Sequence, residues 1–183
     1  MPLGRLVTVP VLSRPDLLAA PTRAAVEDLA EQDPAAADRI GVAEINPDLA
    51  DTQALIEAYG LSLHASANCV VVVGKRTGEE RLAACVVRAT TRADVNDRVK
   101  RLLDVRKATF LAAERAVAES GMAYGGITPI GLPSSWRVLV DSDILADDDL
   151  VVVGSGVRHS KILLPGSTLA AFGVESVEGL GRS

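Results

Sequence analysis

Aromatic residues, cysteines and histidines are all scarce in this 183-residue sequence. Aromatic residues make up 3% of the chain, so the core must be aliphatic and stacking of nucleic-acid bases on an aromatic platform is not expected. The two cysteines, Cys69 and Cys85, lie in the apolar runs "NCVVVVG" and "LAACVVRAT". This setting favours two buried small side chains over a disulfide or a metal-binding pair.

Long apolar segments and a targeting signal are also missing from the sequence. No apolar run approaches the ~20 residues needed to cross a bilayer. The N-terminal segment "MPLGRLVTVPVLSRPD" has no signal-peptide pattern. Together these two absences predict a cytoplasmic protein.

Charge is distributed unevenly, although the net charge is only −5 at pH 7. Residues 1–57 carry four arginines against ten acidic side chains, whereas residues 88–107 carry seven cations against three aspartates. Such a basic face can meet a few phosphates while the rest of the molecule repels them. The alternative is a solvated helix face with Asp94–Arg98 and Asp97–Arg101 pairs at i,i+4. The cations of this segment are Arg88, Arg92, Arg98, Lys100, Arg101, Arg106 and Lys107.

Strand-like and helix-like segments alternate irregularly, which favours a mixed-sheet α+β domain over a doubly wound fold. Asn46 as a cap, Pro47 in the first turn and Gly60 at the end predict a helix over residues 46–60. The segments "CVVVVG" and "RLAACVV" flank a polar turn, which predicts a hairpin whose valine-rich strand is covered on both faces. Further helices are predicted at 21–32 with Thr22 as a cap, at 92–104, at 110–120 and in "STLAAFG"; further strands are predicted at 5–9, at 40–45 and in "WRVLVD", "LVVVG", "KILL" and "VESVEG".

The segment "MAYGGITPIGLP", residues 122–133, concentrates glycine and proline just after a predicted helix. Glycine brings the main chain close to a ligand, and a stiff loop of this kind can offer fixed N–H groups to a negatively charged oxygen. The alternative is a helix C-cap that leads into a strand. The spacing matches neither the dinucleotide-binding nor the P-loop glycine pattern, so no nucleotide cofactor is expected.

The stretch "SGMAYGGITPIGLP", followed by "RVLVD" and "LVVVGSGVRHSKILL", resembles the YbaK-type aminoacyl-tRNA deacylases, a family that includes the editing domain of bacterial prolyl-tRNA synthetase. The resemblance covers roughly residues 40–180 and depends on the loop with Gly125, Gly126 and Pro129, on the later Gly154–Gly156 strand end, and on "ASANCVVVV" as a central strand. It implies an α+β fold with a mixed, largely antiparallel, partly barrel-like sheet and flanking helices. Residues 1–183 would form a single domain of this type, with residues 1–39 as an N-terminal extension packed on it.

The resemblance also implies an activity and a site. Family members hydrolyse the ester that links a wrongly attached amino acid to the terminal adenosine of a tRNA. The partner would be a tRNA acceptor end with a small mischarged amino acid, and neither a metal nor a cofactor is implied. By resemblance, Gly125, Gly126, Ile127, Thr128 and Pro129 would position the ester and its developing oxyanion. The substrate-binding wall would comprise Asn68, Gly154, Ser155, Gly156, Arg158 and Lys161.

Asn68 departs from the family pattern. Many members have a lysine near the start of the central strand, where this chain has Asn68 inside "SANCV". An amide donates a hydrogen bond but supplies no charge to a phosphate. Lys75 and Lys161 are the lysines that could compensate, and the alternative for Asn68 itself is an amide that satisfies local backbone.

Side-chain nucleophiles are poorly represented near these motifs. Ser155 and Ser160 have no recognisable elbow or triad spacing, and Cys69 lies in apolar surroundings. His159 and His64 could each act as a general base or be exposed structural residues. For the hydrolase that the resemblance implies, this predicts a mechanism in which backbone groups position an attacking water. The alternative function is a non-catalytic module of the same fold that recognises aminoacyl-adenosine-like groups or a protein partner.

Overall fold

The fold is described from a computed structural model that covers residues 3–146 and 148–183. These residues form eleven strands, which are β1 (Thr8–Pro10), β2 (Gly41–Glu44), β3 (Ala67–Arg76), β4 (Glu79–Arg88), β5 (Arg92–Ala93), β6 (Ala108–Phe110), β7 (Arg137–Asp141), β8 (Leu150–Gly154), β9 (Ser160–Pro165), β10 (Glu175–Val177) and β11 (Gly181–Arg182). Six α-helical segments accompany them, which are α1 (Ala20–Gln32), α2 (Pro34–Ala37), α3 (Thr52–Tyr59), α4 (Lys100–Leu102), α5 (Ala113–Ser120) and α6 (Ser142–Leu145). Short 3₁₀ turns at Val11–Ser13, Pro15–Leu17, Pro47–Leu49 and Gly166–Phe172 and a π-helical turn at Val95–Val99 complete the described chain.

The strands are arranged in two main sheets and one small one. The first sheet has the order β1-β2-β9-β8 and is antiparallel throughout. The second has the order β10-β7-β4-β3-β6, in which β7 runs parallel to both of its neighbours. Strands β5 and β11 form a separate antiparallel pair. The predicted class, a mixed and largely antiparallel α+β fold, is confirmed, and the two main sheets are not closed into a complete barrel.

The β3–β4 hairpin confirms the predicted strand that is covered on both faces. Val72 and Cys85 pack into one hydrophobic cluster, while Val71 packs into another on the opposite face. Successive side chains of a strand point to opposite faces, so an uninterrupted valine run is stable only where both faces are covered. The hairpin therefore separates two packed layers and forms the centre of the second sheet.

The two main sheets meet at the beginning of β3. Ser66 and Val152 form a parallel bridge, and the Val152 amide donates to the Ala65 carbonyl at 2.7 Å. Beyond this bridge, the first residues of β3 continue beside the end of β8. A cavity opens between these two segments, and the later loops close over it.

Four predicted helices differ from the structure in their bounds. Residues 46–60 form two elements, because the Asn46 side chain caps only a 3₁₀ turn by accepting from the Asp48 amide and the extended backbone of Asp51 precedes a new helix, α3. The predicted end is confirmed, since Gly60 is left-handed with φ of 66°. Helix α1 begins at Ala20 with Ala19 as its cap, so Thr22 is a buried helical residue rather than the cap.

The third difference lies in residues 92–104. Arg92 and Ala93 pair with β11, and the helical part begins only after Asp94, whose carboxylate accepts from the Asp97 amide at 3.2 Å. The predicted helix at 110–120 begins at Ala113, because Phe110 ends strand β6, which pairs with β3. Its predicted end at Gly121 is confirmed by a left-handed φ of 68°.

The N-terminal segment packs on the first sheet. Strand β1 pairs with β2, and Leu17, Val26 and Leu29 join the largest hydrophobic cluster. None of the described helices is both long and apolar enough to cross a membrane.

Candidate active site

A cavity of about 550 Å³ lies where the beginning of β3, the end of β8 and the loop after α5 approach one another. Its floor is made mainly of small apolar side chains, with a few polar groups on one side. The residues that line it are Ala50, Asp51, Thr52, Ala67, Asn68, Cys69, Val70, Val71, Phe110, Leu111, Ala113, Ala116, Tyr124, Gly125, Ile127, Gly154 and Lys161. The cavity therefore brings together the glycine loop, the central strand and the later lysine that the sequence analysis treated separately.

The glycine loop and the segment after β8 are fastened to each other through the main chain. The Gly156 amide donates to the Gly126 carbonyl at 2.7 Å, and the Ala123 amide donates to the Gly156 carbonyl at 2.8 Å. A Cβ added to Gly154 would lie 2.4 Å from the Gly126 carbonyl oxygen. A Cβ on Gly126 would lie 2.6 Å from the Val157 carbonyl oxygen. The glycines are needed because two backbone segments touch with no room for a side chain.

This contact bears on the role expected of Gly126, which stays a prediction. The sequence analysis included Gly126 among residues whose backbone positions the ester, but its amide donates to the Ala123 carbonyl at 2.9 Å and its carbonyl accepts from Gly156. Both backbone groups of Gly126 are therefore committed within the protein. A bulky side chain here would also press against the Val157 backbone, so it would disturb the local fold as well as any activity.

The amides of Gly125 and Ile127, on either side of Gly126, differ from the Gly126 amide in having no partner within the described protein. Gly125 and Ile127 both line the cavity, and neither amide has a protein acceptor among the described residues. Thr128 and Pro129, which follow in the same loop, are buried and do not line the cavity. The hydroxyl of Thr128 has no hydrogen-bond partner among the described residues. Gly125 and Ile127 are thus the loop residues that line the cavity and whose N–H groups have no acceptor among the described residues.

Lys161 places an ammonium group in the same cavity. It lies on β9 opposite Gly154 of β8, and its side chain is only 8% exposed. Burial lowers its pKa from the ordinary lysine value, an effect partly offset by the nearby Asp51 carboxylate and reinforced by Arg158. No side chain in residues 3–146 or 148–183 forms a hydrogen bond or ion pair with Lys161, so its ammonium is available to a bound acceptor.

Asn68 is held by the first turn of α3. Its Oδ1 accepts a hydrogen bond from the Thr52 hydroxyl at 2.7 Å, and both residues line the cavity. The amide nitrogen of Asn68 has no acceptor among the described residues, which leaves it able to donate. The cavity thus has an amide on β3, where the resemblance led us to expect a lysine, and a lysine on β9.

Arg158 lies behind the glycine loop rather than in the cavity lining. It donates to the Tyr124 carbonyl and to the Pro47 carbonyl, each at 3.2 Å, and lies 3.9 Å from the Asp51 carboxylate. These contacts join the loop to the turn before α3. Arg158 is therefore placed to position the loop, and direct contact between Arg158 and a substrate stays a prediction.

Of the three residues Gly154, Ser155 and Gly156, Gly154 lines the cavity, and Ser155 and Gly156 lie behind it. The Ser155 hydroxyl is fully buried and lies 2.7 Å from the Ser160 hydroxyl. The Ser160 hydroxyl in turn donates to the Leu17 carbonyl at 2.5 Å. These contacts stabilise the turn between β8 and β9 against the N-terminal segment, and neither serine has a base beside it. Substrate contact for Ser155 and Gly156 remains a prediction.

The two cysteines are free thiols. Cys85 is buried in the core, whereas Cys69 is partly buried and lines the cavity. Burial raises the pKa of both thiols above the ordinary cysteine value. A protonated thiol is a poor nucleophile, so neither cysteine suits that role. His64 and His159 are both exposed, and neither lines the cavity.

Sequence reasoning missed several residues at the cavity. Asp51 and Thr52 were placed inside a continuous helix, although an Asp-Thr pair is a common helix start and could have indicated the break. Phe110 and Tyr124 were not singled out because the scarcity of aromatic residues argued against stacking. Both line the cavity, with exposed fractions of 64% and 66%.

The basic stretch at 88–107 is not one continuous face. Arg88 is 6% exposed and donates to the His64 and Asp143 carbonyls, so it is a structural residue. The predicted Asp97–Arg101 pair forms at 2.7 Å, whereas Asp94 lies 3.9 Å from Arg182 rather than pairing with Arg98.

Three solved structures share this fold. A candidate trans-editing enzyme for prolyl-tRNA synthetase has a TM-score of 0.69 and 20% identity, with 91% of this chain and 99% of that one covered. The hypothetical protein APE2540 has a TM-score of 0.71 and 19% identity, with 86% and 99% covered. A scaffold protein used for computational epitope grafting has a TM-score of 0.69 and 19% identity, with 90% and 99% covered. At these identities the likeness concerns the fold alone.

Sequence comparison gives the family. No curated protein sequence matches the chain significantly. A profile of the aminoacyl-tRNA editing domain matches residues 46–172, which include β3, the glycine loop and the β8–β9 segment. This range covers more than half of the 183 residues and contains most of the cavity lining. The chain therefore belongs to the aminoacyl-tRNA editing domain family.

Proposed function

We propose that this protein is a free-standing aminoacyl-tRNA deacylase that hydrolyses the ester of a mischarged tRNA. The observation that carries the proposal is the cavity in which the uncommitted Gly125 and Ile127 amides share one space with the buried Lys161 ammonium. Fixed donors in a site that excludes much of the solvent stabilise negative charge that develops on an ester oxygen. The family supplies the substrate class, since its members act on aminoacyl-tRNA.

In the proposed reaction a water molecule attacks the ester carbonyl carbon. The carbonyl oxygen gains negative charge in the tetrahedral intermediate, and the Gly125 and Ile127 amides donate to it. The bond between that carbon and the ribose oxygen then breaks, and the ribose oxygen takes the proton that the water loses. A neighbouring ribose hydroxyl of the substrate can relay this proton, so no protein nucleophile or metal takes part.

Two charged side chains at the cavity complement charges of an aminoacyl-tRNA end, Lys161 an oxygen and Asp51 the α-ammonium. We assign Lys161 to an oxygen of the substrate, either the ester carbonyl or the phosphate before the terminal nucleoside. A buried ammonium that has no hydrogen-bond or ion-pair partner in the described part of the chain favours an anionic acceptor. Asp51 lines the same cavity and bears the charge that complements the α-ammonium of an amino acid. Asn68 contributes a neutral donor. In this assignment Lys161 supplies the positive charge that Asn68 lacks.

The cavity favours a small amino acid. Ala50, Ala67 and Ala116 contribute small side chains to its lining, and Val71 and Leu111 contribute larger apolar ones. One methylene changes discrimination by only about 1–3 kcal/mol, so contacts with the tRNA would add to the selectivity.

The test is a deacylation time course with tRNAs charged with Ala, Ser, Cys or Pro, each compared with a control without enzyme. Selective loss of one ester would support the proposal and name the amino acid. A second candidate function is a non-catalytic binding module, which is favoured by Asn68 at the position where many family members have a lysine. Survival of every ester together with tRNA binding would favour that module.

A further inference from the structure

The two most exposed aromatic side chains lie at the mouth of one cavity. Phe110 and Tyr124 are 64% and 66% exposed, whereas Trp136 is 6% exposed. The sequence contains only five aromatic residues, so the presence of two of them at this rim is informative. Exposed rings beside a ligand cavity are available to stack on planar groups, and every nucleic-acid base has such a face.

Phe110 also borders a second groove. This groove has a volume of about 490 Å³ and lies beside the β5–β11 pair and the start of the π-helical turn. Phe110 is the residue that the two sites have in common, so a ligand that leaves the first cavity across the Phe110 ring enters the second groove. The groove is lined by Arg92, Ala93, Asp94, Val95, Asn96, Ala108, Thr109, Phe110, Arg182 and Ser183.

The second groove has two exposed cations, of which Arg92 has no ion pair among the described residues and Arg182 has a long one. Arg92 is exposed and forms no ion pair within residues 3–146 and 148–183. Arg182 has a side chain that is 76% exposed, and its contact with Asp94 is long at 3.9 Å. Asp94 is the acidic residue of the groove, but its carboxylate also accepts from the Asp97 amide and its side chain is only 16% exposed. The accessible charge is therefore positive.

We propose that this groove is a second nucleotide subsite, which binds the penultimate nucleotide of the tRNA 3′ end. The proposal rests on the proposed function, because it places the terminal aminoacyl-adenosine in the first cavity. The penultimate base stacks on Phe110, and its phosphate is bound by Arg92 and Arg182. An aromatic ring next to exposed cations is the usual combination for binding single-stranded nucleic acid.

The experiment measures binding and hydrolysis separately. Binding is measured by calorimetry with the unacylated trinucleotide CCA and with adenosine, for the wild type, Phe110→Ala and the Arg92→Gln/Arg182→Gln double variant. The matched control is Val7→Ala, which truncates a side chain that is 80% exposed and lies outside both sites. Emission of the buried Trp136 verifies that each variant is folded.

The wild type and Val7→Ala are expected to bind CCA at least about tenfold more tightly than adenosine, since the trinucleotide adds a stacked base and a phosphate contact. The double variant should lose most of this preference, and Phe110→Ala should weaken CCA binding about tenfold. Equal preference for CCA in all four proteins would overturn the second subsite. A change in oligomeric state with Phe110→Ala, at unchanged CCA affinity, would overturn it as well and assign the ring to a protein contact.

Hydrolysis of aminoacyl-CCA and aminoacyl-adenosine by the same proteins distinguishes the two proposals. If neither ester is cleaved but the CCA preference depends on Phe110, Arg92 and Arg182, the deacylase proposal fails and the subsite stands. If both esters are cleaved with the same kcat/KM ratio in every protein, the deacylase proposal stands and the subsite fails.

Discussion

Lys161 combines burial with a positive charge that no ion pair neutralises among the described residues. Since burial lowers its pKa, the unfolded chain holds the proton more tightly than the folded protein does. The protonated side chain therefore opposes folding at neutral pH. This cost disappears as the pH rises through the lowered pKa towards the ordinary value of about 10.4. A residue that destabilises its own fold is a reasonable candidate for a functional role.

The first prediction concerns Lys161→Met. Loss of a charge-assisted bond to the substrate should lower kcat/KM for deacylation about tenfold or more, because such bonds contribute about 1.5–3 kcal/mol. The variant should be no less stable than the wild type at pH 7, as judged by urea unfolding followed through Trp136 emission. Lys75→Met is the matched control, because the Lys75 side chain is exposed, lies outside the cavity lining and has its ammonium 3.6 Å from the Glu80 carboxylate. Unchanged deacylation by Lys161→Met would remove Lys161 from the mechanism.

The second prediction concerns Cys69 and pH. Burial raises the pKa of this thiol, whereas the unfolded thiol titrates near pH 8.5. The protonated Cys69 thiol therefore contributes fully to the free energy of unfolding below about pH 8.5. This contribution declines at higher pH, because only the unfolded chain then releases the proton.

The free energy of unfolding of the wild type should fall between pH 7 and pH 9.5. In Cys69→Ala this fall should be smaller by about 1 kcal/mol, as measured by urea titrations at the two pH values. Its deacylation rate should fall no more than a few-fold, since only contact area is removed. A loss of several thousand-fold would instead identify Cys69 as a nucleophile.

At the scale of elements, the site depends on the close contact between the glycine loop and the end of β8. Gly154 and Gly126 face each other across this contact, and Arg158 joins the loop to the turn before α3. Because two backbone segments touch directly, the orientation of the Gly125 and Ile127 amides is set by packing rather than by any one side chain.

The third prediction tests this contact with Gly154→Ala. A Cβ placed 2.4 Å from the Gly126 carbonyl oxygen must displace the loop, so deacylation should fall at least about 100-fold and the free energy of unfolding should fall by about 1–3 kcal/mol. The control is Gly173→Ala, where a Cβ meets no atom within 4 Å but φ is +68°. It should lose about 1 kcal/mol of stability and retain activity. Full activity in Gly154→Ala would show that the loop tolerates displacement.

At the scale of the whole molecule, charge separates one region from the rest. The protein carries a net charge of −5, and residues 1–57 are strongly acidic. Uncompensated cations of the described chain lie at the second groove and in the neighbouring segment, including Arg92, Arg106 and Lys107. A substrate tRNA should therefore be bound through few phosphates and with one orientation.

The fourth prediction is a modest salt dependence. About three phosphate contacts with a single-stranded end give a slope of about −2 for log affinity against log salt concentration, which means roughly a 15-fold loss between 50 and 200 mM. The measurement is the Kd for tRNA over a salt series, with adenosine as the uncharged comparison. A slope near zero would exclude phosphate contacts, and a slope near −8 would require a much larger basic surface.

The sequence determined the main strands and the constrained loop that borders the cavity, because these depend on local pattern. The valine run required a strand covered on both faces, Gly60 and Gly121 ended helices as expected, and the two glycines followed by Pro129 indicated a constrained loop. These features follow from residue type and spacing, which the chain carries regardless of its folding. The departure at Asn68 was also visible in the sequence.

Only the tertiary structure decided which residues meet at the cavity. Lys161 is 93 positions from Asn68, yet the bridge between Ser66 and Val152 brings β3 beside β8, whose partner strand carries the lysine. Phe110 and Tyr124 became noteworthy only through their exposure at one rim. Local sequence cannot specify such contacts, because sheet order and the closeness of two glycine backbones arise from packing across distant parts of the chain.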